Sequence, residues 1–598
     1  MLNQDELKEI EQQIKSLPKG SITIKHIGGR EYEYWQFRDH GKQITKRVKG
    51  EELETLRLQI EERKRLEWLL QKSITSSVEM PVLSYPSGSL EFHGLIRTGD
   101  DLQRFAEPVK SFKKREIYQQ LYDYVYGPDY ENVFILYGLR RTGKTTMIRQ
   151  MILDLSDDMR KKTAFIQATR NESLAMLNHD LKLLEQQGVR YVFIDEVTLL
   201  SDFIEGAALL SDIFVSSGMK IVLSGTDSLG FLFAKEDQLY DRCFLLHTTF
   251  IPYREFEHVL GMKGIDQYIR YGGTMSLGGV DYNRKLMPFF TAQRTNEYVD
   301  SAIARNIQHS LINYQYEGHF RELYTLYENN ELTSAVNRVI EDMNHRFTLE
   351  VMTRAFQSHD LGVSASNLRR DREHPTDVLD NIDTAAVTER LKTLLEIRNR
   401  EEQRVQINEE HVREIMEYLE LLDLIRTIEV RGSGSMAEAR KRYVFVQPGL
   451  RYAQATALIT SLMQDETFVD LGIKERMRIT ERILDEIRGR MMEDIILLET
   501  TLANPNKEVF VLQFAAGEFD MVVFDSGNAM CELYEIKHSK ESDPHQVRHL
   551  LDSGKIHEAE KQYGDITGRY VIYNGAPLEQ DNILYLNAEQ YLTGLTVH

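Results

Sequence analysis

The chain has 598 residues, 42% of them hydrophobic and 28% charged, with 12 prolines. That is enough apolar matter for several cores of roughly 100–200 residues each, so three to five domains are expected and a largely disordered chain is excluded. The net charge of −20, from 73 basic and 93 acidic residues, confines any nucleic-acid contact to a local patch, and a count of 2 cysteines (Cys243 and Cys531) excludes a disulfide scaffold and a cysteine-rich zinc site.

The opening MLNQDELKEIEQQ is acidic and polar, unlike a signal peptide. No uncharged apolar run reaches the ~18 residues of a membrane span, so the expectation is a soluble cytoplasmic protein with no membrane partner. Residues 1–72 read as a small hairpin–helix module. A helix over 4–16 stops at Pro18 and Gly20. SITIKHI, EYEYWQFRD and QITKRV then alternate between two faces across short glycine turns, predicting a three-stranded meander, and a charged helix follows over 51–71. Tyr32, Tyr34 and Arg38 share a face, with Lys42, Lys46, Arg47 and Lys49 close behind. That mixture suits base stacking and phosphate pairing. The plainer alternative packs the aromatics on the helix, and no base-reading motif is present. Residues 73–100, rich in Ser, Pro and Gly, read as a linker.

From 101 to 250, apolar strands alternate with helical stretches, the pattern of a parallel sheet covered by helices. The strand NVFILY runs into GLRRTGKTT, where Gly138, Gly143, Lys144 and Thr145 satisfy G-x-x-x-x-G-K-[ST]. Glycines let backbone N–H groups curl around phosphates, the lysine reaches the terminal phosphates, and the threonine hydroxyl holds Mg²⁺. The candidate ATP contacts are Gly138, Arg141, Thr142, Gly143, Lys144, Thr145 and Thr146. The strand YVFIDE ends in two acids: Asp195 for the Mg²⁺ shell, and Glu196 to orient or deprotonate the attacking water. KIVLSGTDS offers Ser224 as a sensor of the γ-phosphate, with Thr226 and Asp227 as rivals; a plain polar strand end is the competing reading. Arg242 stands just before the strand CFLLHTTF.

These segments resemble the AAA+ class of P-loop ATPases. Within it, IDEV, LSGTDS and YIRYGG resemble a prokaryotic, archaeal-type family of single-chain ATPases often joined to C-terminal nuclease-like domains. The resemblance implies ATP hydrolysis, a helical lid over 251–345, and a role for Arg242 as a finger reaching a neighbouring subunit's ATP, hence a homo-oligomer. The alternatives are a surface ion pair of Arg242 with Asp241 or Glu236, and service from the lid by Arg270.

Residues 346–465 contain a helix with Asn408 as N-cap and an apolar stripe of Val412, Ile415, Met416, Leu419 and Leu422. The strands IRTIEV and RYVFV follow, so the region resembles a winged helix. Its ribbon carries Arg426, Arg431, Arg440, Lys441 and Arg442, a local patch able to track DNA phosphates. A spacer or protein contact is the alternative.

Residues 470–598 form an α/β unit. Three strands joined by the turns AAGE and SGN bring Asp520 beside Glu535, with Lys537 on the same face as Glu535. Two adjacent carboxylates repel unless Mg²⁺ or Mn²⁺ sits between them, and the lysine can orient a water or offset charge on a pentavalent phosphate. The spacing D-x(14)-E-x-K resembles the PD-(D/E)XK nuclease core. The resemblance implies a metal contact from Glu493 on the preceding helix, a crossover helix at DPHQVRHLLDSG, and Gln546 near the metal, although Leu550 stands where that subgroup has tyrosine. His545 and His549, four apart, read as a solvated face rather than a metal pair. The expected whole is an ATP-driven AAA+ protein coupled to a metal-dependent nuclease acting on DNA, in defence or mobile-element biology. Its rival is a nucleotide-driven switch or DNA remodeller whose C-terminal domain binds without cutting.

Overall fold

The computed structural model describes residues 92–128, 132–169, 172–200, 202–203, 210–226, 242–273, 307, 320–329, 331–368, 407–433, 440–462 and 472–595, with three strands and isolated positions before residue 64. A first unit, Met1–Glu91, holds the antiparallel meander that the alternation predicts: β1 (Ser21–Ile27), β2 (Arg30–Asp39) and β3 (Lys42–Arg47). The helix at 4–16, most of that at 51–71, the linker up to residue 91, and the side chains of Tyr32, Tyr34 and Arg38 lie outside the described residues.

The second unit, Phe92–His598, is built on two sheets. The first contains β4 (Leu95–Arg97), β5 (Val133–Tyr137), β6 (Thr163–Gln167), β7 (Tyr191–Asp195), β8 (Lys220–Gly225) and β9 (Cys243–His247), in the order β4-β6-β7-β8-β5-β9. All are parallel except β4. Burial on both faces explains the continuous apolar runs. Val133, Ile135, Val192 and Ile194 pack with the helix Leu174–Gln186, while Phe134, Leu136, Phe193 and Val222 pack with the helix Lys144–Asp154. The parallel order brings the C-terminal ends of β5, β7 and β8 to one edge, the usual place for a ligand in such sheets.

Beyond β9 come the helices Tyr253–Leu260 and Ile265–Tyr271, and later Arg321–Glu328 and Leu332–Leu368. A boundary between lid and winged helix at 345/346 does not hold, because Leu332–Leu368 runs through it as one helix. Val336, Val339, Ile340 and Val351 are all buried along it, and no glycine or proline interrupts 332–361.

The helix Glu409–Leu421 is capped as expected. Asn408 Oδ1 accepts from the His411 amide at 2.7 Å, and His411 Nδ1 accepts from the Asn408 amide at 3.3 Å. Ile415, Leu419 and Leu422 are buried, but Val412 is exposed. The hairpin β10 (Ile425–Gly432) and β11 (Arg440–Phe445) follows. It is not a free wing. β10 pairs in parallel with β12 (Glu508–Gln513), setting Val430 opposite Val511. The sheet continues through β13 (Glu518–Asp525), β14 (Met530–Lys537), β15 (Asp565–Tyr573), β16 (Leu578–Gln580) and β17 (Ile583–Asn587), in the order β11-β10-β12-β13-β14-β15-β17-β16. A separate unit beginning at 470 is therefore corrected: β12 would be an open edge, and the hairpin covers it.

The helix Ile473–Ala503 lies on one face of this sheet, where Ile487, Met491 and Ile495 meet Val511, Met521 and Ile536. The opposite face packs Leu512, Phe519, Leu533 and Val571 with Ala559 of the helix Ser553–Tyr563. That helix is the crossover between the parallel strands β14 and β15. DPHQVRHLLDSG forms only a short 3₁₀ turn, Pro544–Val547, because the side chain that caps the crossover helix is Asp552, which accepts from the amides of Gly554 and Lys555. Among the described residues no helix is long and apolar enough to cross a membrane.

Candidate functional site

The phosphate loop leaves β5 at Gly138, whose φ of 136° and close packing demand glycine: a Cβ there would lie 2.5 Å from the Thr248 carbonyl oxygen. Gly143, with φ 99°, precedes the helix Lys144–Asp154. Arg141 also adopts a left-handed backbone, φ 72°, at a cost of roughly 1–2 kcal/mol for a side-chain-bearing residue. Thr142 holds the loop's shape through its hydroxyl, which meets the Leu139 carbonyl and Thr248 Oγ1, both at 2.9 Å. Lys144 Nζ donates to the carbonyls of Gly138 and Leu139 at 2.7 and 2.8 Å. Burial pulls its ammonium down to about 8, against the opposing pull of Glu196 and Asp195. Thr145 and Thr146 stand in the helix's first turn, where backbone N–H groups and the helix dipole favour an anion.

The acids of β7 come to the same edge. Asp195 is buried, and its Oδ2 accepts from Thr145 Oγ1 at 2.9 Å while its Oδ1 accepts from Ser224 Oγ. Burial raises its carboxyl, aided by Glu196, while those two hydroxyls and Lys144 oppose. A hydroxyl and a carboxylate in contact, beside a phosphate loop, are a fitting donor pair for Mg²⁺. Glu196 follows with φ 56°, a strained backbone that turns its carboxylate aside; Thr226 Oγ1 donates to Glu196 Oε2 at 2.8 Å. Ser224 thus sits on Asp195 and Thr226 on Glu196, while Asp227 lies outside the described residues.

Arg242 is not at this edge. Its carbonyl accepts from the Val133 amide at the N-terminal ends of β9 and β5, and its side chain pairs with Asp212 at 2.7 Å, both half-exposed. Asp241 and Glu236 lie outside the described residues. Arg270 does not serve the phosphate loop either; it lies 5.9 Å over the Tyr452 ring. The arginine that does hold the loop is one that local pattern does not reveal. Arg115, buried, donates to the carbonyls of Thr142, Thr249 and Phe250 and pairs with Glu255 at 2.6 Å, tying the loop to the first lid helix. On the other flank, His247 stacks on Tyr137 at 4.6 Å and approaches Asp423 at 3.8 Å, and Leu139 packs into the core formed around the helices Arg321–Glu328, Leu332–Leu368 and Glu409–Leu421.

The second cluster lies on β13 and β14. Continuing the pair Met521–Tyr534 by one residue sets Asp520 opposite Glu535. Lys537 Nζ meets Asp520 Oδ2 and Glu535 Oε2, each at 2.7 Å, and the Ile536 amide donates to Asp520 Oδ2 at 2.8 Å. Glu535 is 1% exposed, and its Oε1 has no hydrogen-bond donor. Burial, then the Asp520 charge, raise the Glu535 carboxyl well above the usual range. Burial works the same way on Asp520, but Lys537 and the Ile536 amide outweigh it and hold that carboxyl low. The Lys537 ammonium between these two acids offsets one of their charges, and a proton or a metal cation would offset the other. Glu493 comes from the helix Ile473–Ala503 as expected, bound by Arg490 at 2.5 Å and approached by Arg442 at 3.6 Å. Arg442 thus points inward to Glu493 and Asp494 instead of joining an outer patch. Arg426 pairs with Asp423, and Arg431 with Glu429 and Glu508, because both arginines have acids within reach. Arg440 and Lys441 remain exposed. Gln546 is turned away to its own loop, donating to Ser539 Oγ and the Glu541 carbonyl at 2.8 and 3.0 Å. His549 bonds to Lys555, and the His545 side chain lies outside the described residues.

Residues 130–257 match the family described as AAA domain. With the β5 loop, the β7 acids and the parallel order on the page, this part of the chain is similar to the AAA domains of the P-loop ATPase class, a likeness that supports nucleotide binding. Among solved structures, the Aeropyrum pernix Orc1 protein in complex with DNA aligns over 63% of this chain and 99% of its own, at 14% identity and a TM-score of 0.22. No curated protein matches the chain.

Proposed function

We propose that this chain is an ATP-hydrolysing AAA+ protein that governs a divalent-metal-dependent nuclease, with DNA as the substrate, through its C-terminal sheet. One observation carries the nuclease reading: Asp520 and Glu535 meet beside Lys537 in a buried spot where Glu535 Oε1 lacks a donor. A solely structural ion pair has no need of a second buried carboxylate. The order helix, three antiparallel strands, crossover helix and parallel strand around them supports the same reading by analogy with PD-(D/E)XK nucleases.

Asp520 and Glu535, with Glu493 nearby, would hold Mg²⁺ or Mn²⁺, which when bound supplies an activated water and a Lewis acid for the leaving phosphate oxygen. Lys537 holds both carboxylates in place and offers its ammonium to charge developing on phosphate. A cleft of about 910 Å³ lies between the long helix Leu332–Leu368 and the shared sheet, lined by Arg346, Arg440, Lys441 and Arg490 among others. Arg490 joins it to the acid cluster through Glu493, so a phosphate backbone in the cleft would run toward the metal site. Acids such as Glu409 and Glu417 line the facing helix, which concentrates the basic contacts on the hairpin.

In the AAA domain, Lys144 and the loop amides would bind the phosphates, Thr145 and Asp195 would hold Mg²⁺, and Glu196, positioned by Thr226, would accept a proton from the attacking water. Two contacts would transmit the state of the lid. The Tyr253 amide donates to Glu499 of the helix Ile473–Ala503 at 2.7 Å, and His538, next to Lys537, meets Asp266 of the second lid helix at 2.8 Å. Arg242 lies too far from its own loop to act there, and reaches ATP only in a homo-oligomer.

The test is cleavage of end-labelled single- and double-stranded DNA, and of RNA, with Mg²⁺ or Mn²⁺. Metal-dependent cutting that is lost in Lys537→Ala and altered in Lys144→Ala supports the proposal. ATP turnover with intact nucleic acid in every metal would overturn the nuclease half and leave a switch.

A further inference from the structure

Outside both clusters, His93, His179 and Asp180 bring ligand atoms to within 4.8 Å of one another, the one such group of three found among the described residues. We propose that these three residues form a zinc site that clasps the chain where it enters the second unit. The imidazole rings lie 5.0 Å apart and tilted by 55°, side by side without stacking. The carboxylate beside them is buried and fixed. Asp180 Oδ1 accepts from the His93 amide at 2.9 Å, and Oδ2 from the Gly94 amide at 2.8 Å. One aspartate thereby both sets the path of the entering chain and stands next to the two imidazoles.

Two neutral nitrogens and one carboxylate oxygen are a borderline donor set, which suits zinc over the hard ions Mg²⁺ and Ca²⁺. Tetrahedral zinc with bonds of about 2.0–2.2 Å wants its donors roughly 3.3 Å apart. Both imidazoles are exposed, so side-chain rotation alone closes the gap while Asp180 stays seated. The fourth position falls to water. Glu172 lies on the same side: a Cβ on Gly94 would sit 3.3 Å from Asp180 Oδ2 and 3.8 Å from Glu172 Oε1. Its carboxylate is placed to bond that water.

The site joins residue 93 to the helix Leu174–Gln186, just behind the β6 end where the Ala168 amide donates to the Asp195 carbonyl. Its role is a clasp rather than chemistry, for it touches neither phosphate loop nor acid cluster.

The experiment uses the full chain, stripped with chelator and titrated with Zn²⁺ alone by calorimetry, with bound metal counted by mass spectrometry after dialysis. Wild type retains one zinc equivalent more than the double variant His93→Ala/His179→Ala. His179→Gln, a milder change that guards against misfolding, weakens binding at least tenfold. Asp520→Ala keeps the equivalent, which separates this site from the proposed nuclease metal. With Co²⁺ in place of zinc, wild type shows tetrahedral visible bands that His179→Gln lacks. Equal zinc content in wild type and the double variant, or Co²⁺ bands unchanged in His179→Gln, would overturn the proposal.

Discussion

In the proposed ATPase, two threonines, Thr145 and Thr226, divide the work of the two acids at the end of β7. Thr145 Oγ1 binds Asp195 and Thr226 Oγ1 binds Glu196, so one carboxylate would be held for metal and the other for water. Glu196→Gln should keep nucleotide binding and lower ATP turnover by roughly 10²–10⁴-fold, the usual worth of a general base; binding and turnover measured on the same preparation check it. Thr226→Val should lower turnover with little change in nucleotide affinity, because it frees Glu196 without touching the loop. Most of this site was legible from local pattern: the loop spacing, the DE at a strand end and the polar end of β8 are all contiguous motifs. Arg115 was not. It meets Glu255 across 140 positions, and no local spacing links them. Arg115→Ala leaves Glu255 buried without its cation, so the AAA core should lose about 3–5 kcal/mol in chemical denaturation.

At the scale of elements, alternation revealed β13 and β14 and placed Glu535 and Lys537 on one face. It could not reveal that β10 pairs in parallel with β12, since parallel partners far apart in sequence share no turn signal. For the same reason Arg442 read as an outward ribbon charge, although Glu493 and Asp494 draw it inward. The junction between lid and sheet was equally hidden, and it carries a pH dependence. Burial alone would lower His538, but its bonds to Asp266 and Asp485 push it up to about 9. Its folded value lies above the unfolded one of about 6.5, so its contribution is complete below that pH and is lost as pH rises through about 9. Hydrogen exchange in Ile265–Tyr271 should therefore quicken, beyond the intrinsic rate, between pH 7 and 10, and His538→Ala should remove most of that pH dependence.

For the whole molecule, the net charge of −20 makes the basic rim of the cleft decisive. Arg440→Glu with Lys441→Glu should weaken DNA binding more than about tenfold at low salt and reduce the slope of log affinity against log salt by roughly 2; binding titrations at several salt concentrations measure both. The AAA domain and the C-terminal sheet are joined through the two helices after β9, a helical core that takes in Leu139 of the phosphate loop, and the contact at Glu499. Nucleotide state therefore has direct packing routes to the acid cluster. The most direct test of the two-centre account is anomalous diffraction from crystals of the full chain soaked in Mn²⁺. The account predicts a Mn²⁺ peak bridging Asp520 and Glu535, absent in Asp520→Ala. Carboxylates still held only by Lys537 at saturating Mn²⁺, with no peak between them, would contradict it.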